Sequence, residues 1–437
     1  MSRPHLLYTA WSFPPSRAGG VYRALATVNA FVQSGWDVTV LTVPQAVFEE
    51  TTGIDPTLEA KVAAAVEVVR VDPDIPSLRS DLATWGRIRA RYLEVWRGAD
   101  RLRDLRGFPE PAYGRWAPRL KRATERIHAE HPVDLAIGTA NPNVDFVPGR
   151  HLHERFGVPY VMDYRDAWTL DVFTGRPSHS WVPGAERTER SLIAAAEEVW
   201  FVNEPIRRWH QAKYAADATK MHVVANGFDQ YDVPLAVPVR PSRKTAPVFG
   251  YIGTLSDQVP IRPLLDGWRL ALASGRLTAD ARLVLHGYLG HFGDGAAATA
   301  LREAPDSVEF RGPVGKTTIG ETYSGFDVLV LALGTGKYVT SGKVYEYAAT
   351  GIPIVSVHDP RNAATDVVRD APGWQAAASL RPDDIAAALA RSAAVAAAQT
   401  PQDREVAQRW GAQFAREAQL APRIAALTAR FGAGEAQ

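Results

Sequence analysis

The amino-acid sequence predicts an α/β protein made of two doubly wound, Rossmann-like domains, and three observations lead to this prediction. The chain has 437 residues, which is more than one hydrophobic core usually organises. Short runs rich in Val, Leu and Ile alternate with segments of helical spacing, which is typical of parallel strands covered by helices on both faces. This alternation stops at a proline-rich stretch and then begins again, which indicates a second domain of the same kind.

Composition narrows the class of protein. Apolar residues make up 46% of the chain and charged residues 22%, as in ordinary soluble proteins. The formal net charge of +1 gives no reason to expect a nucleic-acid partner. Cysteine is absent, which excludes disulfides, a thiolate nucleophile and cysteine-based zinc sites. No run reaches the roughly 20 apolar residues of a membrane span, so we expect a cytoplasmic protein.

Seven apolar runs in the first half of the chain predict buried strands. They are, in order, HLLYTAW, WDVTVLTV, VEVVRV, VDLAIGT, PYVMDY, EEVWFVN and KMHVVAN. The spacing of Val21, Leu25, Val28 and Val32 predicts a helix between the first two strands. We assign residues 1–233 to this first domain.

A second set of strands follows a predicted linker. The chain between 231 and 247 contains several prolines and shows neither the helical nor the strand periodicity of apolar residues. We therefore place the linker at 234–244. Five runs, PVFGYIG, RLVLHGY, VEFRGP, DVLVLAL and IPIVSV, then predict a second domain over 245–410. The final helical segment, about 411–437, is a candidate to pack back on the first domain. We expect the ligand in a cleft between the domains, because the carboxyl ends of parallel strands face outward there.

The first strand is joined to the first helix through Ala18-Gly19-Gly20. Glycines at a helix N-terminus let backbone N–H groups approach an anion, and the helix dipole favours negative charge there. Arg23 lies one turn later, on the side that could meet a phosphate. The alternatives are a tight turn that requires glycine and an ordinary surface arginine. The motif is not G-x-G-x-x-G, so a dinucleotide fingerprint is absent.

Three charged residues, Asp163, Arg165 and Asp166, end the predicted strand in VMDYRDAWTLD. In a doubly wound domain, side chains at the carboxyl end of a strand point toward the ligand site. The alternative is an internal ion pair between Arg165 and one of the aspartates.

The second domain contains two further candidate stretches. Gly253 and Thr254 follow its first strand, where backbone groups could face a phosphate, although such glycines are more often turns. Lys343 and Glu346 lie three residues apart on a helix that Gly351 is expected to end. A lysine can neutralise a diphosphate and a carboxylate can accept the hydroxyls of a ribose. The alternative is a helix ion pair worth only ~0.2–0.5 kcal/mol.

Residues 79–126 carry thirteen Arg and Lys against six Asp and Glu, with Trp85, Trp96 and Trp116 among them. A basic helical pair with aromatic residues can lie on an anionic membrane or grip an acidic acceptor. The alternative is a solvated helix face with tryptophans in the core. This segment is the predicted peripheral membrane contact.

The chain resembles the retaining glycosyltransferases of family 4 over nearly its whole length. The resemblance is most specific in FPPSRAGGVYR, VPYVMDYRDAWT, EEVWFVNEPI with MHVVANGFD, and SGKVYEYAATGIPIV. The second and fourth stretches are similar to the branch whose fifth strand ends in Asp-Phe-Arg-Asp-x-Trp and whose donor helix reads Gly-Lys-x-x-Glu-Tyr. Many bacterial polysaccharide and natural-product transferases belong to this branch. The resemblance implies the GT-B fold, in which two Rossmann-like domains face each other across a cleft.

Transfer of the family's pattern, residue by residue, implies that Gly19 and Gly20 line the donor diphosphate. It implies that Glu346 binds the nucleotide ribose, with Lys343 near the diphosphate. We add Arg23, Gly253 and Thr254 as donor-binding candidates and keep Asp163, Arg165 and Asp166 as the groups that orient the acceptor or the transferred sugar.

Two positions depart from the family's pattern. A second glutamate, expected eight residues before Glu346, is replaced by Tyr338. The usual Arg and Lys after the first strand of the donor domain are also missing, and Arg262 is the nearest base. These departures put recognition of the donor sugar in doubt.

The activity implied by the resemblance is transfer of a sugar from a nucleotide-sugar donor, with retention at the anomeric carbon. The acceptor would be a glycan, a lipid-linked sugar or a small-molecule scaffold. No cofactor and no metal are expected. The alternatives are a nucleotide-sugar epimerase of the same fold, which would need a carboxylate–histidine arrangement, and a non-catalytic helper protein, which would bind no nucleotide.

Overall fold

The computed structural model describes residues 3–76, 81–179, 181–229, 246–289, 295–315, 318–334 and 336–432. The chain divides into two compact units. The first unit contains residues 1–224 and 420–437, and the second contains residues 225–419. The predicted linker, residues 234–244, lies outside the described residues.

The first unit is built on a parallel sheet. Within the described residues it has seven strands in the order β3-β2-β1-β4-β5-β6-β7. The strands are β1 His5–Ala10, β2 Asp37–Thr42, β3 Val66–Arg70, β4 Leu135–Ala140, β5 Tyr160–Tyr164, β6 Glu198–Phe201 and β7 Met221–Val223. The strand order reverses between β1 and β4, which makes this the switch point of a doubly wound sheet.

Helices connect these strands. They are α1 Val21–Gln33, α2 Gln45–Glu50, α3 Arg87–Arg91, α4 Leu93–Gly107, α5 Ala117–Glu130, α6 Val147–Phe156, α7 Ala185–Ala195 and α8 Glu204–Lys213. The first helix follows its predicted spacing, since Val21, Leu25 and Val28 are all buried. Strands β1 and β4 are buried at every position, as the unbroken apolar runs predict.

The second unit repeats this architecture. Its sheet has six parallel strands, among the residues described, in the order β10-β9-β8-β11-β12-β13. They are β8 Val248–Ile252, β9 Arg282–His286, β10 Val308–Phe310, β11 Val328–Ala332, β12 Ile354–Val357 and β13 Gln375–Ala376. The helices are α9 Ile261–Ala273, α10 Ala296–Arg302, α11 Ile319–Ser324, α12 Lys343–Thr350, α13 Ala364–Val368, α14 Pro382–Ala398 and α15 Pro401–Ala412.

The last helix, α16 Arg416–Phe431, begins in the second unit and ends in the first. Its apolar residues Leu420, Ile424 and Leu427 are buried in the core of the first unit. The indole Nε1 of Trp36 donates a hydrogen bond to Oγ1 of Thr428 at 2.9 Å. The first unit is therefore completed by a segment that is distant from it in sequence.

Two doubly wound α/β units confirm the predicted fold class. Each of the twelve apolar runs coincides with one of the strands β1 to β12, with β4 extending one residue beyond its run, whereas the two-residue strand β13 was not predicted. None of the helices in the described part of the chain is both long and apolar enough to cross a membrane.

Candidate functional site

Gly19 and Gly20 lie where the chain passes from β1 into α1, at the carboxyl edge of the first sheet. A Cβ atom on Gly20 would lie 2.0 Å from Nη1 of Arg165, so a side chain at this position would displace the guanidinium. Gly19 is exposed, and a Cβ atom there would meet nothing within 4 Å. The glycine loop and the end of β5 therefore meet, as the sequence predicts for two strand ends of one sheet.

Arg23 and Asp163 form a buried ion pair below this loop. The guanidinium Nε lies 2.8 Å from one carboxylate oxygen of Asp163, and Nη2 lies 2.6 Å from the other. Both side chains are almost fully enclosed, with 3% and 0% exposure. Nη1 of Arg23 also donates to the carbonyl oxygen of Val224, and Oγ1 of Thr139 donates to Asp163. Arg23 is thus not a surface arginine, and Asp163 is satisfied inside the unit.

Arg165 and Asp166 extend from the end of β5 toward the surface. Their side chains are half-buried and 3.4 Å apart. The sequence left open an internal ion pair between Arg165 and one of the two aspartates. Arg165 forms only this partly exposed contact with Asp166, because Asp163 pairs with Arg23. Arg165 and Asp166 are therefore the charged groups of this strand end that can contact a substrate directly.

Two buried carboxyl groups, Glu110 and Asp145, occupy the same edge of the sheet and were not predicted. The carboxylate of Glu110 accepts hydrogen bonds from the backbone N–H of Asn143 and Val144 and from the Asn143 side chain, at 2.7–2.9 Å. Burial raises the pKa of Glu110 to about 7. Burial and the neighbouring Glu110 also raise the pKa of Asp145 well above its usual value, although the backbone N–H of Trp11 donates to it.

In the second unit, Lys343 and Glu346 lie at the start of α12 and contact each other. Nζ of Lys343 is 2.8 Å from Oε2 of Glu346, and the Tyr323 hydroxyl donates to the same oxygen at 2.9 Å. Among the described residues, both contacts reach Oε2 and none reaches Oε1. Burial, followed by the charge of Glu346, raises the pKa of Tyr323, which keeps its hydroxyl a donor. Both charged side chains remain partly exposed, at 29% and 25%.

Helix α12 is fixed at both ends, as the sequence predicts. Gly351 adopts a left-handed conformation, with φ of +70°, and ends the helix. The Tyr347 hydroxyl accepts a hydrogen bond from the Ile252 N–H at 2.9 Å, which ties α12 to the carboxyl end of β8. The Lys343–Glu346 pair therefore stands on a rigid support.

Gly253 and Thr254 follow β8 directly. The Gly253 N–H donates to the carbonyl oxygen of His286 at 2.9 Å, so this N–H is already used between two strand ends. Thr254 is exposed, and its carbonyl oxygen accepts a hydrogen bond from Tyr251. Of these two residues, only Thr254 presents a side chain to solvent.

The positions that depart from the family's pattern have other partners. Arg262 pairs with Glu303 at 2.5 Å, and both side chains are about half exposed. The Nζ atom of Lys337 lies 5.4 Å from the ring centre of Tyr338. In the ranges that the structure describes, no group of three or more His, Asp or Glu side chains is arranged to hold a metal ion.

Two family models match the chain, one on each half. The model described as "Glycosyl transferase 4-like domain" matches residues 18–227, and the model described as "Glycosyl transferases group 1" matches residues 246–395. None of the curated proteins matches the chain by sequence.

Solved structures share the fold over the full length of the chain. A glycosyltransferase from Rickettsia africae has a TM-score of 0.66 at 9% identity, covering 99% of this chain and 100% of its own. Sucrose-phosphate synthase from Thermosynechococcus elongatus has a TM-score of 0.61 at 16% identity, with coverage of 99% and 100%. The Anabaena protein HepE in complex with UDP has a TM-score of 0.61 at 15% identity, with coverage of 98% and 100%. The two matched family models and the shared fold identify this chain as a member of the GT-B glycosyltransferases.

Proposed function

We propose that this glycosyltransferase belongs to family 4 and moves a sugar from a nucleotide diphosphate to an acceptor hydroxyl, with retention at the anomeric carbon. The acceptor would be a glycan, a lipid-linked sugar or a small-molecule scaffold. The observation that carries the donor assignment is the arrangement around Glu346, where two described side chains hold one carboxylate oxygen and no described residue holds the other.

Glu346 is well prepared to bind a ribose. Lys343 and Tyr323 both hold Oε2, so the carboxylate keeps one orientation before a ligand arrives. Oε1, which no residue in the described ranges contacts, can then accept a hydroxyl of a vicinal diol. A hydrogen bond to an ionised acceptor is roughly twice as strong as one between neutral groups. Lys343 adds a positive charge for the diphosphate of the same ligand.

The first unit offers a separate contact for an anionic group. The Arg165 guanidinium lies against Gly20 at the N-terminus of α1, a helix of 13 residues. Gly19 beside it carries no side chain that would block an approach to the backbone. A helix N-terminus and a cation both favour negative charge, which supports a role for this edge in substrate binding.

The chemistry requires little of the protein beyond electrostatic stabilisation. Positive charge develops on the sugar ring and negative charge on the departing diphosphate, so cations such as Lys343 stabilise the transition state. We propose that the leaving phosphate oxygen receives the acceptor proton and that no protein nucleophile is needed. Asp163 acts through Arg23 as a positioning residue, whereas Arg165 and Asp166 orient the acceptor or the sugar.

Retention is tested by NMR of the sugar product as it first forms from the donor. A product whose anomeric configuration is inverted relative to the donor would contradict retention.

A thermal-shift screen tests the donor site. HepE was solved with UDP, so UDP and UDP-sugars come first, followed by GDP, dTDP, ADP and their conjugates. A ligand at 100 times its Kd stabilises the folded state by about 2.7 kcal/mol. We expect one nucleotide to raise the Tm of the wild type and of Glu405→Ala, an exposed glutamate on α15. We expect no shift for Glu346→Ala. A full shift in Glu346→Ala would contradict the ribose assignment.

A further inference from the structure

Helix α4 has an inverted polarity compared with an ordinary surface helix: it buries acidic side chains and exposes apolar ones. Its acidic residues Asp100 and Asp104 point inward and pair with Arg115 at 2.6 and 2.5 Å. Its apolar residues Val95 and Leu102 are 67% and 59% exposed. They lie seven residues apart and therefore share one face. A helix that only covers a core would place these two sets of residues the other way round.

The segment before α4 adds three exposed apolar side chains. Leu82, Ile88 and Tyr92 are 71%, 62% and 56% exposed. Together with Val95 and Leu102 they form what we call the α4 surface. These five residues are among the twelve large hydrophobic side chains that are exposed within the described ranges. Single exposed apolar side chains are normal, but their concentration in one segment marks an interaction site.

Arginines surround the α4 surface. At 100° per residue, Arg101 lies on one side of the stripe formed by Val95 and Leu102, and Arg103 and Arg106 lie on the other. Between residues 81 and 107, the exposed charged side chains are Arg87, Arg91, Arg97, Arg101, Arg103 and Arg106 against Asp81 and Glu94. The two inward aspartates pair with Arg115 away from the surface, and the six exposed arginines outnumber the two exposed acidic residues, so the outer face is positive.

An exposed tryptophan extends this surface. The ring of Trp181 lies 4.0 Å from the guanidinium carbon of Arg101, and its side chain is 55% exposed. Tryptophan prefers the boundary between water and acyl chains, where its ring is buried and its N–H meets headgroups.

We propose that the α4 surface binds an anionic lipid bilayer, with the apolar stripe among the acyl chains and the arginines on the phosphates. A narrow apolar stripe with cations on both sides matches the boundary between the acyl chains and headgroups of a bilayer. Each arginine near an anionic membrane contributes about 1 kcal/mol, so Arg101, Arg103 and Arg106 beside the stripe provide a substantial attraction. The surface contains none of the candidate substrate-binding residues, and the proposal does not depend on the proposed sugar transfer.

Vesicle flotation of the full chain tests this proposal. One set of vesicles contains phosphatidylcholine alone, and in the other phosphatidylglycerol replaces about a third of it. We expect at least about tenfold more protein on the anionic vesicles, and less as salt increases. The double variant Val95→Ser/Leu102→Ser and the triple variant Arg101→Gln/Arg103→Gln/Arg106→Gln should each lose about tenfold of this binding.

Control variants come from α15, in the second unit. Val406 is 43% exposed and the side chain of Arg409 is 70% exposed, so Val406→Ser/Arg409→Gln should bind vesicles like the wild type. The replaced side chains are exposed in all variants, and equal melting temperatures confirm that folding is preserved.

Two results would overturn the proposal. Equal binding of the wild type to both kinds of vesicle would show that the arginines do not recognise the negative charge of anionic headgroups. Loss of binding in the arginine variant alone, with the serine variant unchanged, would show a general polyanion surface and favour an acidic macromolecular partner. Since the salt dependence is measured on the wild type, the test does not rely on the variants alone.

Discussion

At the scale of single residues, the first unit contains two kinds of buried carboxyl group. Arg23 and Asp163 compensate each other through two short hydrogen bonds. Glu110 and Asp145 instead accept hydrogen bonds from backbone and amide N–H groups, and their pKa values are raised. At Glu110 and Asp145 burial outweighs these hydrogen bonds and favours the neutral acid, so these two carboxyl groups respond to pH. The Arg23–Asp163 pair is tested by substitution instead.

Glu110 should make the first unit less stable as the pH rises. Its pKa rises from 4.5 to about 7 on folding, so between these values the folded state holds a proton that the unfolded state has released. The stabilisation is complete below pH 4.5, and up to about 3 kcal/mol of it is lost by pH 7. The free energy of unfolding of the wild type, minus that of Glu110→Gln, should fall over this range in urea titrations.

Glu94 provides the control for this measurement, because its side chain is 81% exposed. The wild type and Glu94→Gln should show parallel stability curves against pH. If Glu110→Gln also ran parallel to the wild type, Glu110 would be ionised in the folded protein and the raised pKa would be refuted.

Removal of one partner of the buried ion pair should be far more damaging than removal of a surface partner. Asp163→Ala leaves the Arg23 guanidinium enclosed without its carboxylate, and such losses cost about 3–5 kcal/mol. Asp166→Ala removes only a half-buried contact at 3.4 Å, which is worth at most about 1 kcal/mol. Denaturant unfolding of both variants compares the two costs directly. Similar small losses in both would mean that the Arg23–Asp163 pair contributes little to stability.

At the scale of elements, the sequence predicts regular elements well because their signals are local. The boundary of α12 follows from Gly351, and each strand from β1 to β12 follows from a short, mostly apolar run, although β3, predicted as buried, has no fully buried position. Strand β13 has only two residues and no periodicity to detect. The inverted polarity of α4 was missed because its inward aspartates depend on Arg115, which lies outside the helix.

Contacts in the candidate site were predictable only where they lie within one element. Lys343 and Glu346 share a helix and were found together. Tyr323, which also holds Glu346, lies 23 residues earlier on another helix and has no motif of its own. Arg23 and Asp163 were each predicted as site residues, but 140 residues separate them and their mutual pairing required the fold.

Two glycines in helices should respond in opposite ways to alanine. A Cβ atom on Gly411 in α15 would lie 2.1 Å from the carbonyl oxygen of Ala348 in α12, so Gly411→Ala should force the helices apart and cost about 1–3 kcal/mol. A Cβ atom on Gly98 in α4 would meet nothing within 4 Å, so Gly98→Ala should stabilise that helix by about 0.5–1 kcal/mol. Thermal melting reports both effects. A neutral Gly411→Ala would contradict the close contact between α12 and α15.

At the scale of the whole molecule, the two units differ in how the chain supplies them. The second unit is one continuous stretch, residues 225–419, whereas the first needs residues 420–437 in addition to residues 1–224. In the first unit, Leu420, Ile424 and Leu427 complete the core around Trp36. Truncation of a large apolar side chain in a core usually costs several kcal/mol, for example about 2–5 kcal/mol for Ile→Ala.

Separate expression of the units should expose this difference. The fragment 225–419 should unfold in one cooperative transition, and 1–224 should do so only when 420–437 is joined to it. Calorimetry of the three fragments measures the transitions. The point variant Ile424→Ala should weaken the full chain, whereas Ala426→Ser, at an exposed position of the same helix, should not. Cooperative unfolding of 1–224 alone would show that α16 is dispensable for the first unit.

The path of α16 also determines the order in which the protein can mature on the ribosome. Domains generally fold as units, and during synthesis the N-terminal one usually folds first. Here the residues of the second unit all emerge before Leu420, Ile424 and Leu427 are available. The nascent first unit therefore waits with the hydrophobic surface around Trp36 uncovered, while the second unit can already close its core. Chaperones that shield exposed apolar surface would act on the part of the chain that is made first and finished last.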